Sequence, residues 1–289
     1  MKFVTFAAKG LSKPGVLSLD GRRIVPLEAA GLSYESLEAM ARLATPEELD
    51  TLRRFLRENP DAGLPRETVT LLPAIPAPTQ EVLVMEHNFL PDSAAAAAFQ
   101  KEKQQHLPIY YYKKATFANC DGGRIPTYPG HVTELDYQAE LCCVVAGDVY
   151  QVAPEAASSK IFGYLIINNV IARNLTQRHR RPYIATSLDG FLPMSAFLVT
   201  PDEVGEEITV RSYVNGQLRQ NAAVGLAKFS FAEAIADLSR ISVLRGGSIL
   251  TLGTPFGCGC DQNPPRWLKS GDVVTCEADG VGQVTNVVE

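Results

Sequence analysis

Several patterns that mark common classes of protein are missing from this sequence. No apolar run approaches the roughly 20 residues that span a bilayer, and the N-terminal MKFVTFAAKG lacks the apolar core of a signal peptide. We find no G-x-G-x-x-G pattern, no P-loop and no internal repeat. The sequence also has no excess of positive charge: 27 Lys and Arg against 32 Asp and Glu give a net charge of −5. Bulk charge therefore gives no reason to expect nucleic acid or a membrane as a partner.

Cysteine spacing does not suit a metal centre. Cys142 and Cys143 are adjacent, and Cys258 and Cys260 are one residue apart, whereas zinc sites usually place two to four residues between paired ligands. A long chain without a signal peptide favours buried free thiols over disulfides. We therefore expect a soluble cytoplasmic protein.

Residues 1–70 have the pattern of a small N-terminal domain. Two strands read from KFVTFAA and GVLSLDGRRIVPL, and helical spacing of leucines predicts helices over 34–44 and 46–58. In TPEELDTLRRFL, Thr45 is suited to the N-cap and Pro46 to the first helical position. This segment is therefore a small α/β unit.

The rest of the chain is mostly strand. A proline-rich linker over 71–80 leads into a main domain over 81–289. Helices are predicted over 93–105 and 231–241, and the polar stretch 174–192 lacks periodicity and is predicted as a loop over a site. The predicted fold class is α+β, mainly β.

The most informative stretch is LDYQAELCCVV, residues 135–145. Side chains alternate along a strand, so Gln138 and Glu140 are expected on one face. A Glu-x-Glu pair at this spacing would offer two charged oxygen ligands to a hard divalent cation. Here one of the two is an amide.

Eight motifs then match one family in order. They are NF (88–89), YYYKK (110–114), LDYQAEL (135–141), GYLIINNVIARN (163–174), TSLDGF (186–191), VNGQLRQ (214–220), LTLGTPFGCG (250–259) and WLKSGDVVTCEADGVGQVTN (267–286). Together they resemble the fumarylacetoacetate hydrolase family from residue 80 onward, and the N-terminal unit resembles that of its bacterial-type members. The resemblance implies a rolled mixed β-sheet, a homodimer, and magnesium or another divalent cation. It also implies cleavage, decarboxylation, hydration or isomerisation of β-dicarbonyl and 2-oxo acid compounds.

The cation ligands depart from that family's pattern. Its Glu-x-Glu pair and the Asp of its Asn-Asp pair match Gln138, Glu140 and Asn169, so three carboxylates become one. Even about 2 kcal/mol lost per missing charge would weaken cation binding roughly a thousandfold. We therefore expect no metal cofactor at this degenerate site, and magnesium or manganese only under the alternative below.

The general base departs as well. The family's Asn-Tyr-x-x-His matches Asn88, Phe89 and Asp92, so Asp92 replaces the histidine as candidate base or else caps the following helix. The lysine of Lys-Ser-Phe-Asp becomes Thr186.

Two cations of the family pattern are retained. Arg173 could bind a substrate carboxylate with two hydrogen bonds, or pair with Glu140. Lys113 could bind an enolate oxygen, or end a surface strand. The candidate catalytic residues are Lys113, Arg173, Glu140 and Asp92, and the candidate substrate-binding residues are Gln138, Asn169, Tyr112, Thr186 and Thr254.

Three functions follow from these departures. The first is an enzyme repurposed for metal-independent isomerisation, cyclisation, dehydration or carbon–carbon lyase chemistry on a β-dicarbonyl or polyketide-like small molecule, in specialised metabolism. The second is a cation-assisted hydrolase or decarboxylase of 2-oxo or 3-oxo acids. The third is a non-catalytic binding protein.

Overall fold

A computed structural model describes residues 1–8 and 10–289. Within these ranges the chain forms short helices and a larger number of strands. The strands are β1 (Lys2–Ala8), β2 (Leu11–Leu17), β3 (Arg23–Pro26), β4 (Leu64–Pro65), β5 (Thr70–Leu71), β6 (Val82–Glu86), β7 (Ile109–Lys113), β8 (Arg124–Ile125), β9 (Leu135–Asp136), β10 (Ala139–Val145), β11 (Ile161–Asn168), β12 (Ile171–Ala172), β13 (Phe197–Val199), β14 (Thr209–Val214), β15 (Gln217–Ala223), β16 (Ile249–Thr251), β17 (Val273–Ala278) and β18 (Gly282–Val288). The helices are α1 (Leu37–Leu43), α2 (Pro46–Glu58), α3 (Ser93–Glu102), α4 (Pro154–Ala157), α5 (Arg173–His179), α6 (Pro182–Thr186) and α7 (Phe231–Ser239).

The largest sheet is built around β10. It runs in the order β4-β3-β2-β1-β13-β11-β10-β16-β6-β7, with β5 paired to β1, and a second sheet runs β15-β14-β17-β18-β8. Every residue of β10 is buried. Leu141 and Cys143 pack into one apolar cluster, and Cys142 and Val144 pack into another on the opposite face. A strand covered on both faces reads as a continuous apolar run, which is why AELCCVV has so few polar residues.

The expected fold class is confirmed: the chain is mixed α+β, mostly strands, with β strands and helices at its N-terminus. Helices α1 and α2 form where leucine spacing predicts them. Thr45 is the N-cap of α2, as predicted, and it forms a capping box with Glu48. Strand β1 pairs with β13, Phe3 opposite Leu198, so the N-terminal strands belong to the large sheet. The domain boundary over 71–80 stays a prediction.

Two predictions about secondary structure need correction. The strand expected over 135–145 is interrupted between β9 and β10, because the backbone N–H groups of Tyr137 and Gln138 donate to the side chains of Asp136 and Asn168 and not to a neighbouring strand. The loop expected over 174–192 contains helices α5 and α6. Among the described residues, no helix combines the length and the apolar character needed to cross a membrane.

Candidate active site

One cavity of about 350 Å³ gathers most of the polar groups of interest. The end of β6, strand β7, the break between β9 and β10, the start of α5 and the turn after β16 form its walls. Polar side chains on these walls include those of His87, Tyr111, Gln138, Glu140, Arg173 and Thr254. The volume suits a small organic molecule.

Glu140 is the buried acid of this cavity. Only 1% of the Glu140 surface is exposed. Oε1 accepts a hydrogen bond from Asn169 Nδ2 at 2.9 Å, whereas Oε2 is buried without a hydrogen-bond partner among the described residues. Burial raises the pKa of Glu140 to about 7, against the lowering effect of the Thr251 hydroxyl and the Asn169 amide. The carboxyl can therefore bind or release a proton near neutral pH.

Lys113 lies behind Glu140, enclosed by acceptors. Nζ donates to Asn169 Oδ1 at 2.9 Å, to the Phe191 carbonyl at 2.8 Å, and to the Thr186 carbonyl. Burial lowers the pKa of Lys113 to about 7, and the Glu140 charge opposes that change. These three acceptors match the three donors of an ammonium group. Lys113 therefore ties β7 to the end of α6 and has no donor left for a ligand.

The Asn169 side-chain amide connects Lys113 to two groups of the cavity, Glu140 and Tyr111. Because Oδ1 accepts from Lys113, Nδ2 must face Glu140 Oε1 and the Tyr111 hydroxyl, both at 2.9 Å. Burial raises the pKa of Tyr111 well above its ordinary value, so the phenol stays protonated. Since its oxygen accepts from Asn169, its own proton is free for a ligand oxygen in the cavity.

Arg173 is held by Asp136 and not by Glu140, which was one of the two partners considered for it. Its Nε donates to Oδ2 of Asp136 at 3.0 Å, so it does not pair with Glu140. Asp136 is fully buried and also accepts the backbone N–H groups of Tyr137, Gly259 and Cys260. A Cβ on Gly259 would lie 2.7 Å from Asp136 Oδ1, so this turn requires glycine. The two Nη groups of Arg173 lie outside the Asp136 contact, on a side chain that lines the cavity.

The donor set does not fit the family's cation site. Gln138 Oε1 and Glu140 Oε2 are both buried without a hydrogen-bond partner in the part of the chain that the structure describes. They offer a cation one charged oxygen and one amide oxygen. Asn169 presents a nitrogen where a cation needs an oxygen. Within residues 1–8 and 10–289, no three His, Cys, Asp or Glu side chains cluster as cation ligands.

The structure brings part of the predicted site together. Gln138, Glu140, Arg173 and Thr254 line the cavity, while Lys113 and Asn169 are buried directly behind it. The Thr254 hydroxyl accepts from Gln220 and donates to the Ala139 carbonyl, so the protein itself already engages it.

Three predicted site residues lie elsewhere. The side chain of Tyr112 is on the outer face of β7 and is 52% exposed. Thr186 is buried and its hydroxyl donates to the Pro182 carbonyl. Asp92 caps α3 by accepting the Ala95 N–H at 2.8 Å, which was the alternative foreseen for it. These side chains do not reach the cavity walls.

Sequence reasoning missed Tyr111 and His87. Alternation along β7 puts Tyr111 on the same side as Lys113, two residues away, so choosing Lys113 should have pointed to Tyr111 and not Tyr112. His87 had no such signal, because its placement depends on a backbone turn described below.

Comparison with known proteins agrees with this architecture. The family model for the fumarylacetoacetate (FAA) hydrolase C-terminal region matches residues 83–289. Oxaloacetate tautomerase YisK of Bacillus subtilis (strain 168) is 31% identical over 222 residues, covering 76% of this chain and 73% of that protein.

Solved structures share the fold over the whole chain. Fumarylacetoacetate hydrolase (EaFAH) from the psychrophilic Exiguobacterium antarcticum superposes with a TM-score of 0.84 at 25% identity, covering 100% of this chain and 99% of that one. A 5-carboxymethyl-2-hydroxymuconate delta-isomerase from Mycobacterium smegmatis gives 0.73 at 21% identity, with 100% and 99% covered. The chain therefore belongs to the fumarylacetoacetate hydrolase family.

Proposed function

We propose that this family member is an enzyme that tautomerises or isomerises a small 2-oxo or β-dicarbonyl acid without a resident divalent cation. The observation that carries the proposal is the unpartnered Oε2 of Glu140, buried in the same cavity as the Tyr111 hydroxyl and the Arg173 guanidinium. An acid–base group, an oxyanion donor and a carboxylate-binding cation are what keto–enol chemistry needs. The tautomerase and isomerase among the similar proteins support the same class of reaction.

Each group then has a defined task. The Nη groups of Arg173 bind the substrate carboxylate, and the Tyr111 hydroxyl donates to the ketone oxygen. The carboxylate of Glu140 takes the α-proton: the C–H bond breaks, its electron pair becomes part of the enolate, and negative charge develops on oxygen. Asn169 and Lys113 hold Glu140 and Tyr111 in register. No oxidant or reductant is required.

A second candidate is a cation-assisted hydrolase or decarboxylase of 2-oxo or 3-oxo acids. The observation in its favour is that Gln138 Oε1 and Glu140 Oε2 are both buried and unpartnered. Under this alternative magnesium or manganese would be held by those two oxygens. The nitrogen of Asn169 facing Glu140 argues against it. The small-molecule partner, the homodimer, the cytoplasmic location and a role in specialised metabolism stay predictions.

Proton exchange separates the two candidates. Metal-stripped protein is incubated in D₂O with oxaloacetate or an acylpyruvate, once with chelator and once with magnesium. NMR follows the loss of the substrate α-proton, and the uncatalysed rate is subtracted. We expect exchange in chelator and a fall of at least about a hundredfold in Glu140→Gln. Asp92→Asn is the matched acid-to-amide control and keeps an N-cap residue. Exchange or cleavage that appears only with added cation would refute the metal-independent reaction.

A further inference from the structure

We propose that His87 is the second proton-transfer residue of this cavity, which protonates the enolate oxygen that Glu140 and Tyr111 generate. This inference rests on the proposed function and completes its proton balance. The α-proton leaves on Glu140, an O–H bond forms with the proton of the His87 imidazolium, and the neutral enol departs. Both groups are then reset by exchange of protons with water.

Position supports this role. Within the described chain, which includes all four histidines, His87 alone among them lines the cavity. Glu140 is 1% exposed, whereas His87 is exposed at the rim. Glu140 therefore takes the substrate proton at the closed end of the cavity, and solvent at the open end can return to His87 the proton that it donates.

The backbone at His87 is held in an unusual conformation. Its φ of 50° lies in the left-handed region, which non-glycine residues rarely adopt, although histidine does so more often than most. Such conformations persist where the surrounding structure over-determines them, and they concentrate at functional sites. This turn directs the residue after β6 toward the cavity instead of continuing the strand.

Asn88 is what holds this turn. Its Nδ2 donates to the carbonyls of Phe229 at 3.0 Å and Leu252 at 2.9 Å, and its Oδ1 accepts the Phe229 N–H at 3.0 Å. Its carbonyl also accepts the Lys228 N–H at 2.6 Å. The residue is 2% exposed, so every one of these bonds is protected from water. The chain is therefore clamped immediately after His87.

The backbone at Gly253 packs closely against the turn at His87. A Cβ on Gly253 would lie 2.6 Å from the Met85 carbonyl and 3.4 Å from Asn88 Cβ, so only glycine allows the approach. Thr254, the next residue, lines the same cavity. The turn at His87 therefore packs directly against the turn at Gly253 and Thr254. Such close packing is expected around a preorganised acid–base group.

The test separates proton removal from proton delivery. His87→Asn keeps a residue that tolerates positive φ but removes the acid, and His87→Gly leaves room for added imidazole. Exchange of the substrate α-proton into D₂O reports Glu140, and release of the enol, followed by its ultraviolet absorbance, reports delivery to oxygen. His131→Asn, at an exposed site outside the cavity, is the matched control.

We expect His87→Asn to slow enol release about a hundredfold while exchange changes less than about threefold, and imidazole to restore release in His87→Gly. Enol release that is unchanged in His87→Asn would overturn the role of His87 and leave the proposed function standing. A proportional fall in both readouts without rescue by imidazole would also overturn it. Failure of the unmodified protein to exchange the α-proton at all would overturn the proposed function and this inference together.

Discussion

The buried carboxyl of Glu140 should make the enzyme less stable at the pH at which it works. Burial raises its pKa to about 7 from an ordinary 4.5. The folded protein therefore binds this proton more tightly than the unfolded chain does, and the free energy of unfolding falls as the pH rises from 4.5 to 7. Glu140→Gln keeps the shape and the acceptor for Asn169 but removes the charge.

The difference in pKa sets an upper limit of about 3 kcal/mol, since one unit corresponds to about 1.4 kcal/mol. Lys113 reduces the gain, because Glu140 stabilises its ammonium form. We therefore expect Glu140→Gln to unfold with a free energy about 1–3 kcal/mol higher at pH 8 and nearly equal to that of the unmodified protein at pH 4.5. A chain of this size should gain about 2–6 °C in Tm at pH 8.

Denaturant titrations and thermal scans at pH 4.5, 6 and 8 measure this, beside the exchange assay. Activity should fall at least about a hundredfold while stability rises. Glu155→Gln, the same change at an exposed position, should alter neither quantity with pH. A gain in stability that is independent of pH, or exchange activity that survives in Glu140→Gln, would refute the assignment of Glu140 as the buried acid.

Other residues of the site give shorter predictions. Arg173→Gln should raise KM for carboxylate substrates at least about tenfold, and an unchanged KM would place the substrate elsewhere. Tyr111→Phe should lower kcat about a hundredfold in steady-state assays, with little change in Tm. Lys113→Met leaves three buried acceptors unpaired and should cost at least about 3 kcal/mol of unfolding free energy, measured in urea. Gln138→Glu combined with Asn169→Asp should tighten magnesium binding roughly a thousandfold by calorimetry; equal affinity in both proteins would contradict the fit argument.

Sequence-local signals predicted the parts of the fold that local chemistry determines. The N-cap at Thr45 is predicted from adjacent residues and is found. The Asn215-Gly216 pair forms its turn with φ of 53° and 76°, as an Asn-Gly hairpin requires. The break after Asp136 could not be found in this way. It depends on the side chain of Asn168, which accepts the Gln138 N–H from 30 residues further along the chain.

In the site too, the sequence predicts what depends on neighbouring residues and misses what depends on distant ones. Alternation alone assigns Gln138 and Glu140 to one face, and both do line the cavity. No sequence pattern says which end of the Asn169 amide faces Glu140, because Lys113 decides it from 56 residues away. That orientation makes the Asn169 side chain a hydrogen-bond donor to Glu140 and not an oxygen ligand for a cation.

The formal charge of this buried cluster supports the proposal of a reaction without a resident cation. Three carboxylates at positions 138, 140 and 169 beside Lys113 would carry a formal charge of −2, which one divalent cation neutralises. With Gln138 and Asn169 the cluster holds only Glu140 and Lys113, and its net charge is zero without a cation. It stays zero whether the proton sits on the lysine or on the carboxylate, so the pair can change its proton distribution without leaving an unbalanced buried charge. Since an unbalanced buried charge is what makes a polar interior costly, the proposed metal-independent reaction assigns the two amides the task of keeping the cluster neutral, with Glu140 as the group that moves protons.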